Sequence, residues 1–101
     1  MKKNNKPIYK DPKLPVEKRV ADLLKRMTVE EKVCQLAAVK PESVLENDEF
    51  SAEKTMKNLP NGIGGIGTVL KKKKPGKSAE LANRIQKFMI ENTRLGIPVI
   101  I

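Results

Sequence analysis

Residues 66–101 read IGTVLKKKKPGKSAELANRIQKFMIENTRLGIPVII, and this stretch decides the expected fold. Its β-branched and apolar start, over residues 66–70, favours a short strand. A helix is expected from Ser78 to about Arg94, capped by Gly96, because apolar side chains recur at helical spacing at Leu81, Ile85, Phe88 and Met89. The continuous apolar run IPVII is typical of a strand buried on both faces of a parallel sheet. Together these segments predict one β-α-β unit.

A glycine cluster precedes this unit, and Gly62, Gly64 and Gly67 match G-x-G-x-x-G. A dinucleotide site needs a strand before the glycines and a helix opening at their end. Here KTMKNLP precedes them and TVLKKKKPG follows, and the acidic residue at the expected distance, Glu91, falls late in a helix. We therefore expect a structural role, in which residues without a β-carbon let a strand approach neighbouring backbone in the narrow interior of a barrel.

A second phosphate-loop motif is also incomplete. Gly76, Lys77 and Ser78 spell G-K-S before a helix, but the first glycine of G-x-x-x-x-G-K-S would fall on Lys71. Ser78 is interpreted as a helix N-cap instead.

Two helices are expected upstream. Pro15 suits the first turn of one with a single apolar stripe, formed by Val16, Val20, Leu23, Leu24 and Met27. Thr28 and Glu31 form a capping box for the next, which starts at Val29 and ends by Pro41. Capping explains both residues better than a catalytic pair does. Its expected buried side chains are Val33, Leu36 and Ala37, and a further short helix is expected over residues 51–58.

Composition excludes several function classes. The chain has 101 residues, which sets one domain as the upper limit, with no His and a single Cys, Cys34. A zinc site and an internal disulfide are therefore not expected. No apolar run is long enough to span a membrane, and no apolar segment follows the basic start, so a cytoplasmic location is expected. Export is the alternative, because an incomplete start would lack a leader.

The net charge of +9 is concentrated in residues 2–13 and 71–77. Such clusters attract polyanions such as nucleic acid, so a small basic binding module is the alternative function. Nucleic acid is disfavoured because Tyr9 is the only aromatic residue near either cluster.

Three segments, in order, carry a resemblance to a known family. RVADLLKRMTVEEKVCQL (19–36), GIGGIG (62–67) and LANRIQKFMIENTRLGIPVII (81–101) resemble the N-terminus of glycoside hydrolase family 3 enzymes, the β-glucosidase and β-xylosidase group. The resemblance covers residues 9–101. Cys34 departs from the glycine of many relatives, and a small buried thiol is expected there rather than a nucleophile, since no base is placed to activate it.

The resemblance implies an α/β fold: the opening part of a (β/α)8 TIM-like barrel in the order helix, helix, strand, helix, strand, truncated. Residues 1–14 would be an extended polar lead-in, and residues 15–101 the incomplete barrel domain. The family's enzymes are retaining glycosidases of carbohydrate metabolism, without cofactor or metal, acting on β-linked oligosaccharides through an Asp nucleophile and a Glu acid/base.

Neither catalytic carboxylate aligns with this chain, so no catalytic or substrate-binding residue is assigned in it. Asp22, Glu30, Glu31, Glu80 and Glu91 are expected in solvent or capping roles. The chain alone is expected to be inactive and to fold poorly. A third interpretation is a structural piece that completes a barrel carried by a separate polypeptide.

Overall fold

The computed structural model describes residues 6–71 and 73–101. The helices of this part are α1 (Val16–Arg26), α2 (Val29–Gln35), α3 (Ala52–Asn58) and α4 (Pro75–Asn92). Its short strands are β1 (Ala38–Val39), β2 (Leu45–Glu46), β3 (Glu49–Phe50) and β4 (Gly65–Ile66). Two 3-10 turns cover Ile8–Lys10 and Pro41–Ser43.

The sheet that organises the chain is parallel and adds strands in sequence order. β1 pairs with β4 in the register Ala38 to Gly65, and Gly65 forms a parallel bridge with Ile100. The Ile66 amide donates to the Ile100 carbonyl, and the Ile100 amide donates to the Gly64 carbonyl, each at 2.9 Å. The parallel pairing of the predicted β-α-β unit is therefore confirmed, with α4 as its crossover, but the last segment forms an isolated bridge at Ile100 and not the expected strand.

Gln86 on α4 helps to place the last strand segment. Its side-chain amide donates to the Val99 carbonyl at 2.6 Å, and its side-chain carbonyl accepts from the Val99 amide at 2.9 Å. The side chain thus occupies the two backbone groups of Val99 and holds this segment against the crossover helix.

The first strand was not predicted. The helix expected to continue toward Pro41 ends at Gln35, and Ala38 and Val39 are extended. The amides of Gly65 and Gly67 donate to the carbonyls of Ala37 and Val39, at 3.2 and 3.0 Å. These long-range bonds favour an extended backbone where the sequence alone indicated a helix.

The glycine segment makes the close approach expected of it at Gly64. A β-carbon there would overlap the carbonyl oxygen of Gln35 and lie 2.8 Å from its carbonyl carbon. The Gly64 amide donates to the Cys34 carbonyl at 2.9 Å, so the chain passes directly over the end of α2. The element immediately before Gly62 is the helix α3 and not a strand, and no helix follows Gly67 directly, which agrees with rejecting a dinucleotide loop.

The predicted strand over residues 66–70 is wrong in extent. β4 ends at Ile66, Thr68 has a φ of 55°, and the Lys71 amide donates to the Thr68 carbonyl at 3.0 Å. The apolar residues of this segment indicate burial and not an extended strand, because Val69 lies in the core.

The boundaries of α4 also differ from those expected. The helix starts at Pro75, whose fixed φ suits a first turn, so Ser78 lies inside the helix and is not its N-cap. It ends at Asn92 rather than near Arg94. Gly96 has a φ of 65° and passes close to the Ile90 carbonyl, so it shapes the loop after the helix.

The antiparallel strands β2 and β3 form a hairpin, and the core lies between this hairpin, α4 and β4. The predicted stripe of α4 is confirmed, since all four of its residues are buried, and the rings of Phe50 and Phe88 meet edge to face at 5.6 Å between centroids. The buried hydrophobic residues of this cluster are Val44, Leu59, Ile63, Ile66, Val69, Leu81, Ile85, Phe88, Met89 and Val99.

The apolar stripes expected to be buried on α1 and α2 are largely exposed. Leu36 is 90% exposed, and Val16, Val20, Leu24 and Val33 are also exposed, as is Ala37. The strand expected to be buried on both faces is exposed at Ile100, which is 78% accessible, although Val99 is buried. Periodicity identified the apolar faces of α1 and α2, but most of their residues are accessible in the described part of the chain.

The short helix expected over residues 51–58 is confirmed as α3, with Ser51 as its N-cap. The Ser51 hydroxyl accepts from the Lys54 amide at 3.1 Å. We expect Ser51→Ala to lower the free energy of unfolding of the whole polypeptide that carries these residues by about 1 kcal/mol, the usual effect of losing such a cap. Ser51→Asp keeps an acceptor and should unfold like the wild type in urea. Equal losses in both variants would contradict the capping role.

Candidate functional site

The carboxyl ends of the parallel strands define the edge where function is expected. Lys40 follows β1 and Gly67 follows β4 at this edge. The segment that bridges at Ile100 points toward the same edge, because all three segments are parallel. Ligands of parallel α/β sheets and barrels bind at this edge. Gly67 is exposed, and a β-carbon there would meet nothing within 4 Å.

The connections that leave this edge form a cleft. After β1 the chain turns through the β2–β3 hairpin, whose turn residues Asn47 and Asp48 both have positive φ, as two-residue hairpin turns favour. After β4 it runs to the first turn of α4. The cleft between them has a volume of about 390 Å³, and we call it the basic cleft. It is lined by Asn47, Asp48, Glu49, Phe50, Lys73, Lys74, Lys77, Glu80, Leu81 and Arg84.

Two of the four cations of the basic cleft are engaged within the chain. Lys73 pairs with Asp48 at 3.1 Å, and the Arg84 guanidinium lies 5.6 Å from the centre of the Phe50 ring. Lys74 and Lys77 are exposed, and within the described part of the chain neither has an ion pair or a hydrogen bond to its side chain. They are the cations available to a ligand.

A separate polar cluster fastens the helix junction to the end of α4. Thr28 and Glu31 form the predicted capping box: the Glu31 amide donates to the Thr28 hydroxyl at 3.1 Å, and the Thr28 amide donates to the Glu31 carboxylate at 2.9 Å. Arg94 donates to both carboxylate oxygens of Glu31, at 3.0 and 2.5 Å, and to the Arg26 carbonyl at 2.7 Å. The Arg94 side chain therefore joins the segment that follows α4 to both α1 and α2.

These contacts fix the charge of Glu31. The hydrogen bond from Arg94 lowers the pKa of the buried Glu31 carboxyl to about 2; burial alone would raise it, and the Thr28 contacts lower it further. The same pair raises the pKa of Arg94. Glu31 is thus ionised and fully engaged at neutral pH, which suits a structural role and not a proton donor.

Asp22 belongs to a second polar contact set, under the segment before α1. It is buried, which corrects the expectation that it faces water, and it accepts from the Tyr9 amide at 3.1 Å and from Arg26 Nε at 2.9 Å. The Tyr9 hydroxyl donates to the Leu95 carbonyl at 2.8 Å. The expected extended lead-in is therefore wrong near residues 8–10, which form a turn held to the body of the chain; residues 1–5 lie outside the described part.

The other candidate residues have exposed or half-buried side chains. Glu30, Glu80 and Glu91 are exposed on helices, as expected. Cys34 is half-buried on α2 rather than fully buried. The acidic residues of 42–53, namely Glu42, Glu46, Asp48, Glu49 and Glu53, are exposed as well. Among residues 6–71 and 73–101, no His, Cys, Asp and Glu side chains are grouped as metal ligands. No helix in those ranges has the length and apolar character to cross a membrane.

Sequence reasoning found only part of the basic cleft. The lysine cluster was identified, but its partners across the cleft, Asp48, Phe50 and Arg84, were not. The adjacent Asn47 and Asp48 are residue types that tolerate positive φ, and they could have signalled the hairpin. The Glu31–Arg94 pair spans 63 positions, and no local pattern indicates it.

Comparison with known proteins gives the functional context. No protein-family model matches the chain. It is 35% identical over 96 residues to a "Putative beta-xylosidase" of Formosa agariphila, matching 91% of this chain. It is 38% and 37% identical over 98 residues to proteins named "Probable beta-glucosidase C" of Aspergillus oryzae and Aspergillus flavus, matching 92% of this chain. The chain is related to glycosidases. It spans only 13–15% of the length of these relatives.

Proposed function

We propose that this chain is the N-terminal portion of a retaining β-glycosidase of glycoside hydrolase family 3, which hydrolyses O-glycosidic bonds in β-linked glucosides or xylosides. The observation that carries the proposal is the similarity to proteins named β-xylosidase and β-glucosidase over nearly the whole chain. The three motif segments over residues 19–36, 62–67 and 81–101 support the finer family assignment.

We infer further that the chain forms the opening arc of a (β/α)8 barrel. Parallel strands that follow one another in sequence order, each reached through helical connections, are what a barrel requires. The Cα radius of gyration is 15.0 Å, whereas a self-contained domain of this length has about 13 Å. The exposed apolar residues of α1, α2 and Ile100 support the same inference, because the remainder of a barrel would cover them.

In the proposed enzyme the chemistry belongs to two carboxylates outside this chain. The nucleophile attacks the anomeric carbon while the acid/base protonates the leaving oxygen, and water then hydrolyses the glycosyl intermediate; such carboxylates stand about 5–5.5 Å apart. This chain would contribute rim loops: the segments after β1 and β4 lie where barrel enzymes bind substrate. Its buried carboxylates, Asp22 and Glu31, hold helices in place.

The proposal is tested with nitrophenyl β-glucoside and β-xyloside. We expect the whole polypeptide that carries these residues to release nitrophenol from at least one of them with retention of anomeric configuration, read by NMR of the first-formed sugar. The matching α-glycoside serves as the control and should not be cleaved. The 101-residue chain alone should give no release above a buffer blank. Turnover by this chain, or inactivity of the whole polypeptide on both β-glycosides, would contradict the proposal.

A further inference from the structure

We propose that the basic cleft binds an acidic group, a carboxylate or a sulfate ester, on the saccharide substrate. The substrate class named here rests on the proposed glycosidase function, whereas the binding of an acidic group rests on the residues of the cleft alone. The preferred substrates would then be β-linked oligosaccharides that carry an acidic sugar or a sulfated one.

The position of the cleft favours a role in substrate binding. It lies between the hairpin that follows β1 and the start of α4, which follows β4. Both connections leave the carboxyl ends of parallel strands, the edge that holds the binding site in this architecture. A volume of about 390 Å³ lies within the range of small-molecule pockets, roughly 300–1,000 Å³.

Two cations of the cleft have partners within the chain, and two do not. Asp48 pairs with Lys73, and the Arg84 guanidinium lies over the Phe50 ring, so these two cations are held by contacts of the chain itself. Lys74 and Lys77 stand one helical turn apart at the start of α4, and no described carboxylate pairs with either. An acidic group between them would form hydrogen bonds assisted by charge, which are stronger than neutral ones.

The same lining favours a saccharide over a nucleic acid. Three carboxylates, Asp48, Glu49 and Glu80, share the cleft with the cations. Asp48 is paired with Lys73, whereas the Glu49 and Glu80 carboxylates can accept hydrogen bonds from sugar hydroxyls next to an acidic group held by Lys74 and Lys77. The phosphates of a nucleic-acid backbone supply no such donors. Readers of single-stranded nucleic acid also need free aromatic faces. The one aromatic ring in the cleft, Phe50, is occupied by Phe88 and Arg84.

The test compares three ligands on the whole polypeptide: a neutral β-linked xylo-oligosaccharide, the same oligosaccharide bearing a glucuronic acid branch, and a sulfated counterpart. We expect at least one acidic ligand to bind more tightly than the neutral one by calorimetry. The double variant Lys74→Gln/Lys77→Gln should weaken that binding about tenfold and leave neutral binding unchanged, consistent with the loss of hydrogen bonds to a charged group. Comparing the carboxylated with the sulfated ligand identifies the acidic group.

Lys18→Gln/Lys87→Gln is the matched control, since it removes two exposed cations that do not line the cleft. This control should bind like the wild type. Equal affinity for acidic and neutral ligands, an equal loss in the control, or stronger binding of a single-stranded DNA oligonucleotide would overturn the proposal. Hydrolysis of nitrophenyl β-glycosides reports the proposed function separately, so failure of catalysis and failure of acid recognition are distinguishable.

Discussion

Replacing Gly64 by alanine is expected to lower the free energy of unfolding of the whole polypeptide by about 3 kcal/mol, the upper part of the usual range for overpacking. The new methyl group would overlap the Gln35 carbonyl and would lie only 3.0 Å from the Ala37 carbonyl oxygen. Hydrogen bonds from the Gly64 and Gly65 amides to the carbonyls of Cys34 and Ala37 fix this approach, so neither segment can withdraw without losing them.

Gly67→Ala is the matched control for Gly64→Ala. Gly67 belongs to the same cluster and also lacks a positive φ, but a β-carbon there meets nothing within 4 Å. We expect Gly67→Ala to change the free energy of unfolding by less than about 1 kcal/mol in either direction. Urea unfolding curves of the two variants compare them directly. Similar stabilities would show that the glycines are not required for close approach at Gly64.

Glu31→Ala is expected to lower the free energy of unfolding of the whole polypeptide by about 2 kcal/mol. The substitution removes the carboxylate that accepts from the Thr28 amide and from Arg94, and it leaves the arginine without its partner. The loss should stay near this value and not reach that of a fully buried pair, because the Arg94 side chain is 56% exposed. Glu30→Ala, on the exposed side of the same helix, should have little effect.

The pH dependence of the difference in unfolding free energy between the wild type and Glu31→Ala provides a second measurement. The pKa of Glu31 is lowered from its usual 4.5 to about 2, so its ionised form is stabilised by folding. The gap in stability between wild type and Glu31→Ala should therefore be full above about pH 4.5 and shrink as the pH falls toward 2. A gap that stays constant down to pH 2 would contradict the role of the charged pair.

Local features of the fold could be predicted from the sequence, and long-range ones could not. The capping box at Thr28, the short helix α3 and the buried stripe of α4 depend on residues within a few positions, so pattern reasoning located them. β1 was missed because the glycine segment 27 positions away supplies its hydrogen-bond partners. Burial of Asp22 was missed for the same reason, since Tyr9 contacts it from outside the helix.

The apolar faces of α1 and α2 show a different limit. Their spacing indicated side chains that avoid water, yet Leu36 and Val33 are exposed. Periodicity predicts which face of a helix is apolar, but what covers that face depends on other elements. In the basic cleft, likewise, the lysines were evident in the sequence, whereas their position opposite the hairpin depends on the tertiary fold.

The central claim, that these residues are the opening arc of a larger barrel, is tested most directly by unfolding the isolated 101-residue chain. Circular dichroism and calorimetry should show a gradual loss of helical signal on heating, without a sharp heat-absorption peak, because the isolated arc leaves its apolar helix faces uncovered. A monomer that instead melts in one sharp transition, with equal calorimetric and van't Hoff enthalpies, would contradict the claim.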